Sequence, residues 1–382
     1  MDIRQIRSRG AISQEAWSDL SDLAPDLVLV FGGIAYFQQP DFLRPLRAAF
    51  PKALLMGCST AGEITREGAL ENQLVLTALK LSHPRLRITS APLTSMEDSH
   101  ATGKQLGDDL RSPLDGAPLR GVLLLGQGVR INGSAILSGL QETLIERVPI
   151  CGALAGDDGI FARTYTLCQE TVSDQDIVAL GFYGDGLELR YGSAGGWIPF
   201  GPIRRVTCAR NNMLFELDGE PALDVYRRYL GEWAKDLPSS GLLFPIALLE
   251  GERHDTGLIR TLVGIDEPSG GLVVAGDVPE QGCVRLMHAD ISSLVNGARE
   301  AALKALENKP AAELALLFSC VGRKLMMGGR VDEEIDAVAE VLDADTILAG
   351  FYSYGEIGPH NQLTDVRLHN QTMTVMLLSE RS

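Results

Sequence analysis

Apolar residues in this chain fall in short dense runs, and the runs recur. LVLVFGG (Leu27 to Gly33), VLLLGQG (Val122 to Gly128) and LALLFSCVGR (Leu314 to Arg323) each precede a stretch with helical spacing. Those stretches end near Phe50, run from Ile136 to Ile145, and run from about Asp332 to Leu342. A second apolar run then follows: ALLMGCSTAGEI, VPICGALAGDD or TILAGFYSYGEI. Runs of Leu and Val bounded by Gly predict buried parallel strands, whose crossover must be a helix. The later segments ENQLVLTALKL, SDQDIVALGFY and HNQTMTVMLL alternate in polarity and adjoin turn signals such as SHPR and GDG, which predicts antiparallel hairpins. The pattern specifies an α/β fold of internally repeated, mixed-sheet units.

The repeat is in register. Gly32 to Gly62 spans 30 positions, as does Gly126 to Gly156, while the third copy is longer and carries an extra GGR turn. Gln73, Gln175 and Gln371 occupy the same place in the three copies, and LRITSA parallels LRYGSA. Between Pro221 and Leu237, Leu223, Tyr226, Leu230 and Trp233 recur at helical spacing. Asp290 caps a second helix whose apolar face is Ile291, Leu294, Val295, Ala298, Ala302 and Ala305. IRTLVGID, GGLVVAG and CVRLM between them predict a strand meander. The change at Gly219-Glu220-Pro221 divides the chain into two associated domains, 1–218 and 219–382.

Composition narrows the function. The 382 residues carry a formal net charge of −16, a surface that repels a phosphate backbone and disfavours nucleic acid as a partner. No apolar stretch approaches the length of a membrane span, and MDIRQIRSRG lacks the apolar core of an export signal, so a cytoplasmic protein without a membrane partner is expected. Six cysteines without a CxxC pair read as reduced thiols, and no zinc or other metal site is expected.

The candidate chemistry lies in the glycine-acid corners that follow the buried strands. Ser59, Gly62 and Glu63 form the first, Asp157 marks the second, and Ser353, Gly355 and Glu356 form the third. In open α/β sheets ligands bind beyond the carboxyl ends of strands, where glycine lets backbone N–H groups approach. Each corner reads equally as a turn whose carboxylate caps a neighbouring amide. Arg323 offers a fork to an anionic ligand or pairs with Glu356. Cys320 as a nucleophile would need a base, which the sequence does not name. His369 and, as an alternative, His288 are candidates for a ligand or haem contact, or are hydrogen-bonded structural histidines. No HExxH, Walker loop, dinucleotide fingerprint or GxSxG elbow occurs, so no catalytic residues are assigned and a non-enzyme is expected.

Together FGG with GCSTAGEI, GGWIPFGP, FELDGEPALDVYRRYLG, SCVGRKLMMGGR, GFYSYGEIGP and LHNQTMT resemble the FIST family, in which FIST N and FIST C domains are paired, over roughly residues 26–378. The resemblance implies a sensory, signal-input role in which a small-molecule ligand regulates a separate partner, such as a histidine kinase or a cyclic-di-GMP enzyme. One branch of the family is similar to haem-based nitric oxide sensors, and LHNQTMT supplies His369 and Asn370 as site candidates. A ligand-free interaction scaffold is the alternative, and an enzyme using Cys320 or the paired carboxylates is a third reading.

Overall fold

A computed structural model describes residues 1–10, 14–144, 146–251, 254–309 and 312–381. Three units follow one another. The first contains β1 (Asp2–Ser8), α1 (Gln14–Ser21), β2 (Leu27–Gly32), α2 (Ile34–Phe37), α3 (Leu43–Ala49), β3 (Leu54–Ser59), the hairpin β4 (Glu63–Thr65) and β5 (Gly68–Leu70), and β6 (Leu74–Lys80). The second repeats this order as β7 (Leu86–Pro92), α4 (Ser99–Leu110), β8 (Leu119–Gly126), α5 (Gly133–Thr143), β9 (Ile150–Leu154), β10 (Thr166–Cys168), β11 (Thr171–Ser173) and β12 (Asp176–Tyr183).

The third unit opens with β13 (Leu187–Ala194) and then carries an insertion. This meander comprises β14 (Ile198–Arg210), β15 (Met213–Leu217), β16 (Glu220–Pro221), α6 (Ala222–Leu230), β17 (Ile246–Glu250), β18 (His254–Arg260), β19 (Leu262–Asp266), β20 (Gly271–Val274) and β21 (Cys283–His288). The unit resumes with α7 (Ile291–Leu306), β22 (Leu314–Cys320), α8 (Val321–Met327), α9 (Asp332–Ala339), β23 (Ile347–Ser353), β24 (Gly355–Pro359), β25 (Val366–His369) and β26 (Met373–Glu380).

Each unit builds four strands of a mixed sheet, with one parallel pair: β2 with β3, β8 with β9, and β22 with β23. The remaining two strands of each six-stranded sheet are a hairpin donated by another unit. The β4–β5 hairpin of the first unit joins the third sheet through β23. The β10–β11 hairpin of the second joins the first through β3, and β24–β25 of the third joins the second through β9. The exchange is cyclic, so the three sheets close into a ring. The α/β, mixed-sheet architecture expected from the sequence is therefore present. A cut at 218/219 falls in the turn between β15 and β16, inside the meander, and strands from both sides of it share sheets.

Strand periodicity explains the core. Leu27, Leu29 and Phe31 face a central cluster with Leu123, Leu125, Leu316, Phe318 and Phe351. The alternate residues Val28 and Val30 face outward onto a separate core with Phe37, Leu46 and Phe50. Both faces are apolar, as a sheet covered on both sides requires. Phe351 lies 4.9 Å from Phe31 and 5.4 Å from Phe318, centroid to centroid, which stitches two sheets together at the centre. The meander has its own core around Val206, Leu223, Tyr226, Leu248 and Val284.

Glycines fix the parallel pairs. A Cβ built on Gly57 would lie 1.9 Å from the Val30 carbonyl oxygen, one on Gly152 1.8 Å from that of Leu124, and one on Gly350 1.9 Å from that of Leu317. These three positions anchor a structural alignment of the units, and it corrects two details of the sequence alignment. Counting six residues onward gives Glu63, Asp158 and Glu356, so Asp158 rather than Asp157 matches the two glutamates. In the last strand Leu74 pairs with Gly32 and Met373 with Ser319, which makes Gln73 the counterpart of Thr372. Gln371 instead matches Asn72, and both adopt positive φ (62° and 53°).

Asp290 caps α7 as expected, its carboxylate accepting the Ser293 N–H at 2.7 Å in a capping box. Helix α6 stops at Leu230 because Gly231 turns to φ 57°, leaving Trp233 half exposed rather than on the helix's buried face. Helix α5 ends at Thr143; Ile145, its expected end, lies outside the described residues.

Replacing Gly57 or Gly350 by alanine should destabilise the protein by about 1–3 kcal/mol or more, since the added methyl has no room beside a strand carbonyl. Gly186→Ala and Gly329→Ala, where nothing lies within 4 Å of the new methyl, should stay within about 0.5 kcal/mol of the parent in urea unfolding.

Candidate functional site

The three corners meet at the centre of the ring, bonded to one another. Ala61 N–H donates to Tyr352 O at 2.9 Å and Tyr352 N–H to Gly62 O at 2.8 Å. Gly156 N–H donates to Ser59 O at 2.9 Å, and Tyr354 N–H to Leu154 O at 3.1 Å. The side chains follow the same logic. The Ser59 hydroxyl donates to Gly156 O at 2.7 Å and accepts Tyr165 N–H at 2.9 Å. Glu63 accepts from the Thr60 hydroxyl at 2.6 Å and from Gln73 N–H at 3.0 Å. Glu356 repeats the pattern with the Ser353 hydroxyl at 2.6 Å and Thr372 N–H at 3.1 Å. Asp157 accepts the N–H groups of Phe161, Ala162 and Arg163 at 2.8–2.9 Å and also bonds the Tyr354 hydroxyl.

Gly62 adopts a positive φ (121°) in its corner, whereas Gly355 does not, so the corner turn does not itself demand one. Arg323 does not bridge to Glu356. Its Nη2 lies 2.8 Å from Glu334, which also accepts from Ser319, and its guanidinium donates to Leu294 O at 2.9 Å. Glu334 is reached because α9 follows α8 after a short turn, a proximity that the strand motifs do not reveal. Cys320 is buried, and burial, then the Glu356 charge, push its thiol pKa up, away from the thiolate that a nucleophile needs. Asn370 ties ring to meander, its carbonyl oxygen accepting Thr261 N–H at 3.2 Å. The structure thus brings the corner candidates together, but as mutually satisfied buried groups.

His369 is 3% exposed, its Nε2 lies 3.2 Å from Gly358 O, and its ring packs 5.4 Å from that of His360. Burial, followed by the neighbouring His360, lowers its pKa to about 3, which keeps the ring neutral. A haem iron needs a ring nitrogen facing a slot, and this imidazole faces backbone inside the protein. His288 packs edge-on against Phe200 within the meander sheet. Neither histidine lines the cleft described next, so the residues present do not fit an axial haem ligand.

The cleft, of about 1080 Å³, opens where the meander meets the second sheet. One wall is the Ser134, Ser138 and Gln141 face of α5 with Val366–Leu368 of β25; the other is Leu248, Leu249, Thr256, Leu258 and Arg260 of β17 and β18, with the loop from Asp277 to Gly282. β25 and β18 are both sheet edges. Asn132 caps α5 by accepting Ala135 N–H at 3.0 Å and reaches across to donate to the Asp277 carboxylate at 3.0 Å. Arg260 donates to Asp277 O at 2.9 Å and to Leu368 O at 3.2 Å. None of the corner candidates, nor His369 or Asn370, lines this cleft. Sequence reasoning missed Arg260, Asp277 and Asn132. The one available signal was a lone arginine inside the apolar run GLIRTLV.

The molecule is thus a ring of three hairpin-exchanged α/β units with a lateral cleft under an inserted meander. The FIST N domain matches residues 26–220 and the FIST C domain residues 222–359, and the chain belongs to the FIST family, whose domains are generally signal-transduction sensor domains. An uncharacterized protein of Mycobacterium tuberculosis is 26% identical over 95% of this chain and 94% of its own length. One from Methanocaldococcus jannaschii is 25% identical over 88% of this chain and 70% of its own. A cyanuric acid hydrolase structure from A. caulinodans aligns over 100% of this chain and 99% of that one at 9% identity and TM-score 0.41. Among the described residues no group of three or more metal-ligating side chains occurs, and no helix is long and apolar enough to cross a membrane.

Burial raises the carboxyl pKa of both Glu63 and Glu356 to about 7, against an ordinary value of 4.5. The folded state therefore holds these protons more tightly than the unfolded chain. Their contribution is complete below pH 4.5 and falls away as pH rises through about 7. A Glu63→Gln, Glu356→Gln double variant, whose amides can keep the same partners, should flatten this loss by up to about 3 kcal/mol per group. Urea unfolding at pH 5 and pH 8 checks it; an unchanged pH slope contradicts it.

Proposed function

We propose that this chain is a signal-input protein that binds a small molecule in the cleft between ring and meander and passes the event to a separate signalling partner. The observation that carries the reading is the position of the cleft. Its two walls belong to different bodies, and a ligand touching both changes how firmly they are held together. The polar ties that cross that joint beside it include Asn132 to Asp277, Arg260 to Leu368, Thr261 to Asn370, and the His360 ring to the Thr256 carbonyl. A volume of about 1080 Å³ suits a metabolite-sized ligand. A cytoplasmic histidine kinase or cyclic-di-GMP enzyme is the class of partner proposed, consistent with the family's signalling role. Binding rather than turnover is favoured because the Cys320 thiol is held protonated and the corner carboxylates already have partners.

Melting across a panel of small metabolites tests the proposal. A ligand at 100 times its Kd should stabilise the folded state by about 2.7 kcal/mol. Ser138→Trp, which fills the cleft from an exposed helix position, should abolish that gain while leaving the melting point without ligand unchanged. A ligand gain that survives Ser138→Trp places the site elsewhere, and flat melting across the panel favours a ligand-free scaffold.

A further inference from the structure

The charged groups of the cleft are not equivalent. Arg367 is paired with Asp365 at 2.8 Å, and Glu142 with Lys104 at 2.7 Å. Arg260 is only 5% exposed and has no carboxylate within ion-pair distance among the described residues. Its Nε and Nη1 are committed to the carbonyl oxygens of Asp277, Ile259 and Leu368. Guanidinium carries five N–H donors, and those bonds leave the two on Nη2 without a partner in the structure. Gly276, at φ 113°, lies flat against the group: a Cβ there would sit 2.9 Å from Nε and 3.1 Å from Cζ. The guanidinium is therefore held rigidly in the wall of a cleft, with the Asp277 charge acting on it but no carboxylate among the described residues directly paired with it.

Buried charge without a partner is costly, and burial accordingly lowers the pKa of Arg260 to about 10, which still leaves it cationic near neutral pH. The N-terminal turn of α5 lies beside it, tied through Asn132 to the same Asp277 that holds Arg260. That turn contains no acidic residue, and its amide dipoles add to the positive potential. Among the described residues Asp277 is the carboxylate whose charge acts on Arg260, while Glu250, Glu280 and Asp365 also line the cleft.

We infer that the cleft holds a small oxyanion, carboxylate or phosphate, on the free N–H pair of Arg260, with a hydrogen-bond donor on the same ligand meeting Asp277. The inference rests on the cleft being the ligand site and adds the chemistry of what enters it. A bare anion would meet the Asp277 charge unrelieved; a ligand with an adjacent hydroxyl or similar donor turns that repulsion into a bond.

Calorimetric titration at constant ionic strength with glycolate, acetate and inorganic phosphate tests this in the full chain. Glycolate binding more tightly than acetate is the expected result, and phosphate binding shows whether the subsite extends to phosphoryl groups. Arg260→Lys keeps the charge but loses the fork, and should weaken binding at least tenfold. Because that change also touches three carbonyl bonds, Ser134→Asp serves as a second variant. It places a carboxylate at the mouth on a first-turn position that tolerates acid, and should weaken the anion equally with melting unchanged. The inference is overturned if neither glycolate nor phosphate binds, or if both variants bind as the parent does. A metabolite whose binding is lost in Ser138→Trp but kept in Arg260→Lys overturns the anion subsite and leaves the cleft reading standing.

Discussion

Each of the three six-stranded sheets is incomplete without strands from another unit, and that dependence organises the rest of the molecule. A four-stranded set such as β1-β6-β2-β3 ends in an unpaired edge at β3, where β10 supplies the missing hydrogen bonds. The cyclic exchange removes that edge from all three sheets, which an isolated unit could not do. The chain must leave each parallel strand and turn sharply toward a neighbouring sheet, and this is where the glycine-acid corners stand. Glu63 and Glu356 satisfy backbone amides and hydroxyls that the turn leaves without strand partners. The corners repeat because the joint repeats.

The cleft arises where this symmetry is broken. In the third unit α9 closes directly on a donated hairpin, Asp332 accepting the Ala69 N–H at 2.8 Å. In the first, Arg47 of α3 reaches Gln169 at 3.4 Å, in the turn of its donated hairpin. In the second, Gln141 of α5 likewise reaches Thr364 O at 3.4 Å, but in a longer segment, 360 to 365, between β24 and β25, and the meander packs beside it. The insertion is carried by the third unit but covers the second, so the open space is bounded by segments far apart in sequence. Residue 132 faces residue 277, and residue 260 faces residue 368.

That distance in sequence explains what could and could not be read beforehand. The buried parallel strands were legible because Leu and Val runs between glycines have few alternatives, and the antiparallel strands because their polarity alternates. The Asp290 cap was legible because capping is local. The hairpin exchange was not: nothing in ENQLVLTALKL says whose sheet its preceding turn will join. The same limit misplaced Arg323, whose partner Glu334 lies on the next helix, and misnumbered the Gln repeat, because the third copy reaches its last strand with one more residue. The corner residues were correctly singled out as repeated and chemically distinctive, yet repetition marks a structural joint as readily as a site.

Two buried arginines separate those roles. Arg323 is fully enclosed and matched: Glu334 neutralises it, and backbone oxygens take its remaining donors, so the group and its partner form one closed unit. Removing either side would leave a buried charge, which is the behaviour of a structural pair. Arg260 is almost as enclosed and is held by carbonyls alone, which orient a guanidinium without neutralising it. A fold that needed only a brace between Asp277 and Leu368 could have used an uncharged donor at lower desolvation cost. Orientation without neutralisation, in the wall of an open cleft, is the arrangement of a group whose counter-charge arrives from outside.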